Sequence, residues 1–197
     1  DHEYTWEVIK IIGHKNDVGV DILSFVYQYE FNPTFPDEVI AATDEIPTEV
    51  NPTDIEGRVD LRDKTIFTID GDDTKDIDDA ISIQKISPDV YELGVHIADV
   101  SHYVKKDSIL DKEAYERGTS VYLVDRVIPM IPHKLSNGIC SLNPNVDRLA
   151  LSCVMNINSK GYVIKYKIFP SVIRSRKQMT YNCVNQILEK NTTPEGY

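Results

Sequence analysis

The 197-residue chain is acidic, net −11 at pH 7, with 41% hydrophobic and 27% charged residues, a balance that excludes a disordered tail and predicts one domain, or one domain plus a fragment. No apolar run approaches the roughly 20 residues of a membrane helix, and no charged-then-apolar leader opens the chain. Three cysteines far apart, Cys140, Cys153 and Cys183, predict reduced thiols of a cytoplasmic protein, not a disulfide frame.

In chain order, residues 6–31 alternate apolar and polar around Gly13 and Asn16-Asp17, which predicts two or three strands of a small β unit. Residues 32–57 carry four prolines among many acids and predict a linker or a lightly packed surface segment. The β-branched run Thr65–Asp70 predicts a strand, residues 71–79 a polar turn, and residues 80–86 and 90–100 two further strands paired around Ser87-Pro88-Asp89. Ser108 is placed to cap a helix that Gly118 stops. Residues 119–150 predict loops. Residues 149–158 and 161–169 predict a hairpin, and Thr180 caps a last helix with Cys183, Val184, Ile187 and Leu188 as its stripe. Strands outnumber helices, so the fold class expected is α+β.

Charge is shared unevenly along this order. Residues 1–99 hold 24 acids against 7 bases, and residues 100–190 hold 7 acids against 14 bases. Two solvated faces of opposite sign would explain this. So would a site where carboxylates hold cations and Lys or Arg holds phosphate. The sharpest feature is the stretch 68–79, with six aspartates between positions 70 and 79. Six anions in one turn must splay into water, take up protons or hold cations. Hard divalent cations prefer oxygen donors, and two of them side by side suit phosphodiester hydrolysis. An EF-hand is excluded, because a loop starting at Asp70 puts Lys75 where Gly is required and Ile81 where Glu is required. Asp70-Gly71-Asp72-Asp73-Thr74 also resembles the D-x-D-x-T signature of haloacid-dehalogenase-type phosphohydrolases, with Asp70 as nucleophile and Asp72 as acid/base. A third reading is a non-catalytic RNA-binding module. If a strand starts at Asp79, then Asp79, Ile81 and Ile83 share an apolar face, on which the carboxylate needs a partner or a metal. His96 in an apolar strand reads as a satisfied core histidine. Lys134, Arg148, Arg174, Arg176 and Lys177 are candidate phosphate contacts, although each taken alone is more often just a solvated charge.

Five blocks in one order, GRVDLRD, TIDGDDTKDIDDAI, GVHIADVSHYV, ERGTSVYL and VIPMIPHKLSNGICSLNPNVDRLALS, resemble the start of the ribonuclease II/R (RNB) catalytic domain over residues 58–190. The resemblance implies a mixed β-sheet catalytic core with flanking helices over residues 58–197. A Pro- and acid-rich linker (36–57) and a remnant of an OB-type (cold-shock-like) β unit (1–35) would precede it. It implies a Mg²⁺-dependent, processive 3′-to-5′ exoribonuclease releasing nucleoside 5′-monophosphates. Asp70, Asp76, Asp78 and Asp79 match the family's metal-binding aspartates, and Asp76 and Asp78 carry the catalytic role. Tyr122 and Tyr181 match RNA-binding tyrosines, at the terminal base and the terminal riboses respectively. The implied partners are single-stranded RNA 3′ ends and structured RNA with 3′ overhangs, with no membrane and no obligate protein partner. The family's catalytic arginine falls beyond residue 197, so the chain is expected to be an inactive fragment of a cytoplasmic enzyme.

Overall fold

A computed structural model describes residues 5–194. Helices α1 (Val20–Gln28) and α2 (Asp37–Asp44) precede strands β1 (Val59–Asp60), β2 (Phe67–Asp70), β3 (Asp79–Ser87) and β4 (Val90–Ala98). Helices α3 (Val100–Tyr103) and α4 (Ile109–Arg117) lead to the short hairpin β5 (Val121–Tyr122) and β6 (Val127–Ile128). Strands β7 (Asp147–Asn158), β8 (Val163–Arg174) and β9 (Lys177–Thr180) follow, and α5 (Tyr181–Lys190) runs on from β9. The fold is the expected α+β arrangement of a mixed sheet with flanking helices. Among the described residues no helix is long and apolar enough to cross a membrane.

Seven strands make one sheet in the order β1-β8-β7-β4-β3-β2-β9. Its centre is an antiparallel run from β3 to β8, while β1 joins β8 and β9 joins β2 in parallel. β8 and β9 stand near opposite ends of that order, yet only Ser175 and Arg176 separate them. Three Cα steps reach about 11 Å, whereas five strand spacings of a flat sheet cover about 24 Å. The sheet is therefore rolled, and β8–β9 is one bent strand that pairs with β7 on one side and β2 on the other. The bend is held by Arg176 N–H donating to Ile66 O at 2.7 Å and Asn145 N–H donating to Ser175 O at 2.7 Å.

A narrow roll admits only small side chains on its inner face. Ala80, Ala150, Ser82, Ser152 and Ser171 are all buried there around His96. Gly94 lies against this layer, and a Cβ on it would collide with Ser82 Oγ and stand 2.7 Å from His96 Nε2. Ile66, Ile77, Leu142 and Ile173 complete this core. A second core joins Val39 of α2 and Leu110 of α4 to Ile131, Leu135 and Ile139.

Several expected elements form as read. Ser108 Oγ accepts from Asp111 N–H at the start of α4, and Gly118 ends that helix at φ +71°. Thr180 Oγ1 accepts from Cys183 N–H at 3.2 Å. The hairpin β7–β8 turns through residues 159–162.

Three expectations fail. Residues 6–31 contain no strand, and α1 forms in their place. Ile22, Leu23, Val26 and Tyr27 turn inward at helical spacing, while the alternating stretch before Gly13 has no neighbouring strand with which to share backbone hydrogen bonds. Residues 36–57 are more than a linker, because α2 buries Val39 and Thr43 against α4. Residues 119–150 hold the β5–β6 hairpin and a wide helical turn, Lys134–Ile139, closed by Cys140 N–H donating to Leu135 O at 3.0 Å.

Candidate active site

The acidic segment bridges β2 and β3. Asp70 ends β2, Asp79 begins β3, and Asp76 and Asp78 lie in the loop between them. Within that loop only Ile77 is buried, at 0% exposure, and it pins the loop to the core. Ile77 N–H donates to Ser141 Oγ at 3.0 Å. The same hydroxyl donates to Lys75 O at 2.7 Å, and Leu142 N–H donates to Ile77 O at 2.9 Å. Arg148 Nε–H in turn holds Ser141 O at 2.8 Å. Ala98 N–H, at the end of β4, donates to Asp78 O at 2.9 Å. Gln178 Nε2 of β9 donates to Thr74 O at 3.0 Å. A run of carboxylates is thus tied down through its backbone at Thr74, Lys75, Ile77 and Asp78.

The electrostatics record that crowding. Burial, then repulsion from Asp79 and Asp76, pushes the Asp70 carboxyl above the usual range, against a lowering pull from the neighbouring Thr68 hydroxyl. Partial loss of hydration, then repulsion from Asp76, Asp79 and Asp70, does the same to Asp78, although that residue is exposed. Asp70 Oδ2 and Thr68 Oγ1 are buried without a hydrogen-bond partner among the described residues. Such unpaired oxygens are costly unless a cation or water meets them. The donors are all oxygen, the set that Mg²⁺ prefers, so the residues fit a hard divalent cation. Among the described residues no three His, Cys, Asp or Glu side chains already form a cation cage, so binding requires the carboxylates to turn toward a shared ion.

Strand parity holds for Asp79, Ile81 and Ile83, which share a face. That face is the outward one, since Ala80 and Ser82 point into the core and Ile83 is 58% exposed. Asp79 is exposed, so burial places no demand on it for a partner. Asp72 and Asp73 are also exposed, and Asp72 Oδ2 accepts from Asn182 Nδ2 at 3.3 Å. The Asp70–Thr74 stretch leads into β3, where the phosphohydrolase signature requires a helix.

Both tyrosines lie beside this loop. Tyr122 of β5 is 65% exposed, and its hydroxyl donates to Asp76 Oδ2 at 2.5 Å. That bond, with some burial, pushes the phenol up to about 12. Tyr181 opens α5 and is 62% exposed. The pairing of Thr180 with Asp70 sets it one residue from the acidic strand end. A cleft of about 960 Å³ runs between the acidic loop and the β5–β6 hairpin, lined by Asp72, Asp73, Asp76, Tyr122, Arg126 and His133.

The basic candidates are mostly engaged elsewhere. Arg148 is 7% exposed and serves Ser141, which overturns a phosphate role, because its guanidinium lies inside the fold. Lys134 donates to Asp44 O at 2.9 Å. Arg174 pairs with Asp147 at 2.7 Å, and Arg176 is exposed and donates to Arg62 O. His96 is a satisfied core histidine, with Nδ1 2.7 Å from Ser152 Oγ and Nε2 3.1 Å from Ser82 Oγ. Reading the sequence passed over Ser141 and the Tyr122–Asp76 bond. A buried serine carries no local signal, and 46 residues separate Tyr122 from Asp76.

Residues 58–196 match the family model described as "RNB domain". The chain is 53% identical over 181 residues to Ribonuclease R 1 of Lactococcus lactis, covering 92% of this chain and 22% of that protein. It is 51% identical over 193 residues to Ribonuclease R of Thermotoga maritima, covering 97% and 27%. The solved structure of Mycoplasma genitalium RNase R in complex with ribose methylated single-stranded RNA superposes with a TM-score of 0.86 at 30% identity, over 93% of this chain and 29% of that one. The chain therefore spans about a quarter of the length of the relatives it matches. Yeast Ssd1, a pseudonuclease, shares the fold at a TM-score of 0.72 and 19% identity. Fold alone does not decide activity, so the side chains must.

Proposed function

This chain belongs to the RNB-domain family, and on that premise we propose that it is the cation- and 3′-end-binding part of a ribonuclease R-like exoribonuclease. The proposed reaction is processive hydrolysis of RNA from the 3′ end with release of nucleoside 5′-monophosphates, with Mg²⁺ as cofactor. Its substrates would be single-stranded RNA 3′ ends and structured RNAs with 3′ overhangs, in the cytoplasm. What supports this reading is the placement of Asp70 at the end of β2, Asp79 at the start of β3 and Asp76 and Asp78 in the loop between them, close enough that mutual repulsion adds to loss of hydration in raising the Asp70 and Asp78 carboxyls.

Asp70 and Asp79 would hold one Mg²⁺, and Asp76 and Asp78 would serve a second. Divalent cations held there would supply an activated water and charge neutralisation at the departing 3′ oxygen. Tyr122 offers its exposed ring to the terminal base, a platform that accepts any base through its π-face. Its hydroxyl anchors that ring at Asp76, next to the reacting phosphate. Tyr181 would lie at the terminal riboses, where the 2′-hydroxyl distinguishes RNA from DNA. We assign residues 58–197 to the catalytic portion; the family match beginning at residue 58 supports that boundary. Residues 36–57, which carry α2, would connect it to the segment before residue 36, which carries α1. The 197-residue chain by itself is proposed to be inactive, because the transition-state arginine that the resemblance implies lies outside it.

Asp78→Asn in the full-length protein tests this reading. The charge at the centre of the cluster is removed while size and fold are kept. RNA affinity should stay within about twofold while turnover falls by about 10² or more, the scale for loss of one electrostatic stabiliser. Cleavage at the wild-type rate by the variant would reject the proposal.

A further inference from the structure

We propose that Ser141 is a positioning residue that sets the cation affinity of the aspartate loop. The inference rests on the reading of that loop as the metal-binding part of a nuclease. Ser141 is 0% exposed and touches none of the four aspartate side chains. Its hydroxyl bonds the backbone on both sides of Asp76, accepting from Ile77 N–H at 3.0 Å and donating to Lys75 O at 2.7 Å. One hydroxyl thereby fixes the peptide units that carry Asp76 and lead into Asp78. The clamp continues on Ser141's own backbone, whose carbonyl is held by Arg148 Nε at 2.8 Å. Next to it, Leu142 N–H bonds Ile77 O at 2.9 Å. Ile77 fills the core directly beneath.

The physical reason for such a clamp is the repulsion in the loop. Four carboxylates in and beside one loop repel one another, and a loop free to spread would have to be reordered each time a cation binds. A backbone held in advance carries that ordering cost in the folded state, so more of the binding free energy appears as affinity. Outer groups that orient metal ligands typically change metal affinity by 10- to 100-fold when removed. Ser141 differs from such groups in acting on the ligand backbone instead of the ligand side chain.

The test uses the full-length protein and three variants, Ser141→Ala, Ser141→Thr and Ser141→Cys. Mn²⁺ affinity is measured without RNA by the loss of free-ion paramagnetic signal. The half-saturating Mg²⁺ for RNA cleavage and the KM for RNA at saturating Mg²⁺ are measured beside it. Ser141→Ala is expected to weaken Mn²⁺ binding by about tenfold, to raise half-saturating Mg²⁺ by the same factor, and to leave KM for RNA unchanged. Ser141→Thr, which keeps the hydroxyl, should recover most of the affinity, with Ser141→Cys between the two. If Ser141→Ala lowers the melting temperature but leaves Mn²⁺ affinity and Mg²⁺ dependence as in the wild type, Ser141 is structural only and the inference is overturned. Equal loss of affinity in all three variants would also overturn it, because bulk and not the hydroxyl would then be decisive. A wild-type protein that binds no Mn²⁺ at this loop would instead overturn the functional reading beneath it.

Discussion

His96 occupies the polar layer inside the rolled sheet with both ring nitrogens engaged by serine hydroxyls, and Ser152 passes the chain on to Ser171 at 2.6 Å. Burial, with a smaller push from Lys64, lowers its pKa from 6.5 to about 4. The native state thus keeps His96 neutral while the unfolded chain takes up a proton as pH falls below 6.5. This contribution to stability is fully present above pH 6.5 and is lost as pH falls toward 4, by roughly 3 kcal/mol at most. Urea unfolding at pH 7, 5.5 and 4.5 should show that decline, and His96→Asn should flatten it in this window. A wild-type profile already flat between pH 6.5 and 4 would show that the buried ring takes up protons freely. At this scale the sequence was a good guide where chemistry is local. A histidine among β-branched residues reads as core, and His96 is one, held by two serine hydroxyls. It was a poor guide to Arg148, whose burial depends on a carbonyl seven residues back in a turn that composition does not announce.

The helices and strands divide in a similar way. α4 was legible because a capping serine, an acidic first turn and a terminal glycine all lie within eleven residues, and each acts locally. Ser108→Ala should cost about 1 kcal/mol, seen as a drop of roughly 2–4 °C in the thermal midpoint of the chain. An unchanged midpoint would mean that the packing of α4 on α2, and not its cap, sets its stability. α1 was not legible, because a short run such as Val-Asp-Ile-Leu-Ser-Phe-Val fits a strand as well as a helix. Strand pairing decides between them, and among the described residues no strand pairs with residues 5–35. Asp79 shows the same limit inside a correctly read element. Parity fixed which residues share its face, but the side on which the roll closes decided that the face points outward.

At the scale of the whole molecule, the closure of the sheet was beyond what periodicity can reveal. The pairing of β2 with β9 joins Asp70 to Thr180 across 110 positions of chain. This pairing also sets Tyr181 beside the acidic loop, so the geometry of the proposed RNA end depends on it. The same holds for Ser141, whose partners lie 64 and 66 residues away. The chemical types present at the site were thus readable from composition and spacing, whereas their assembly rests on long-range backbone contacts. The most direct measurement of the central claim is an anomalous difference map from crystals of the full-length protein soaked in Mn²⁺. The account requires a peak bounded by Asp70, Asp76, Asp78 and Asp79. A well-ordered loop with no peak among those carboxylates would contradict it.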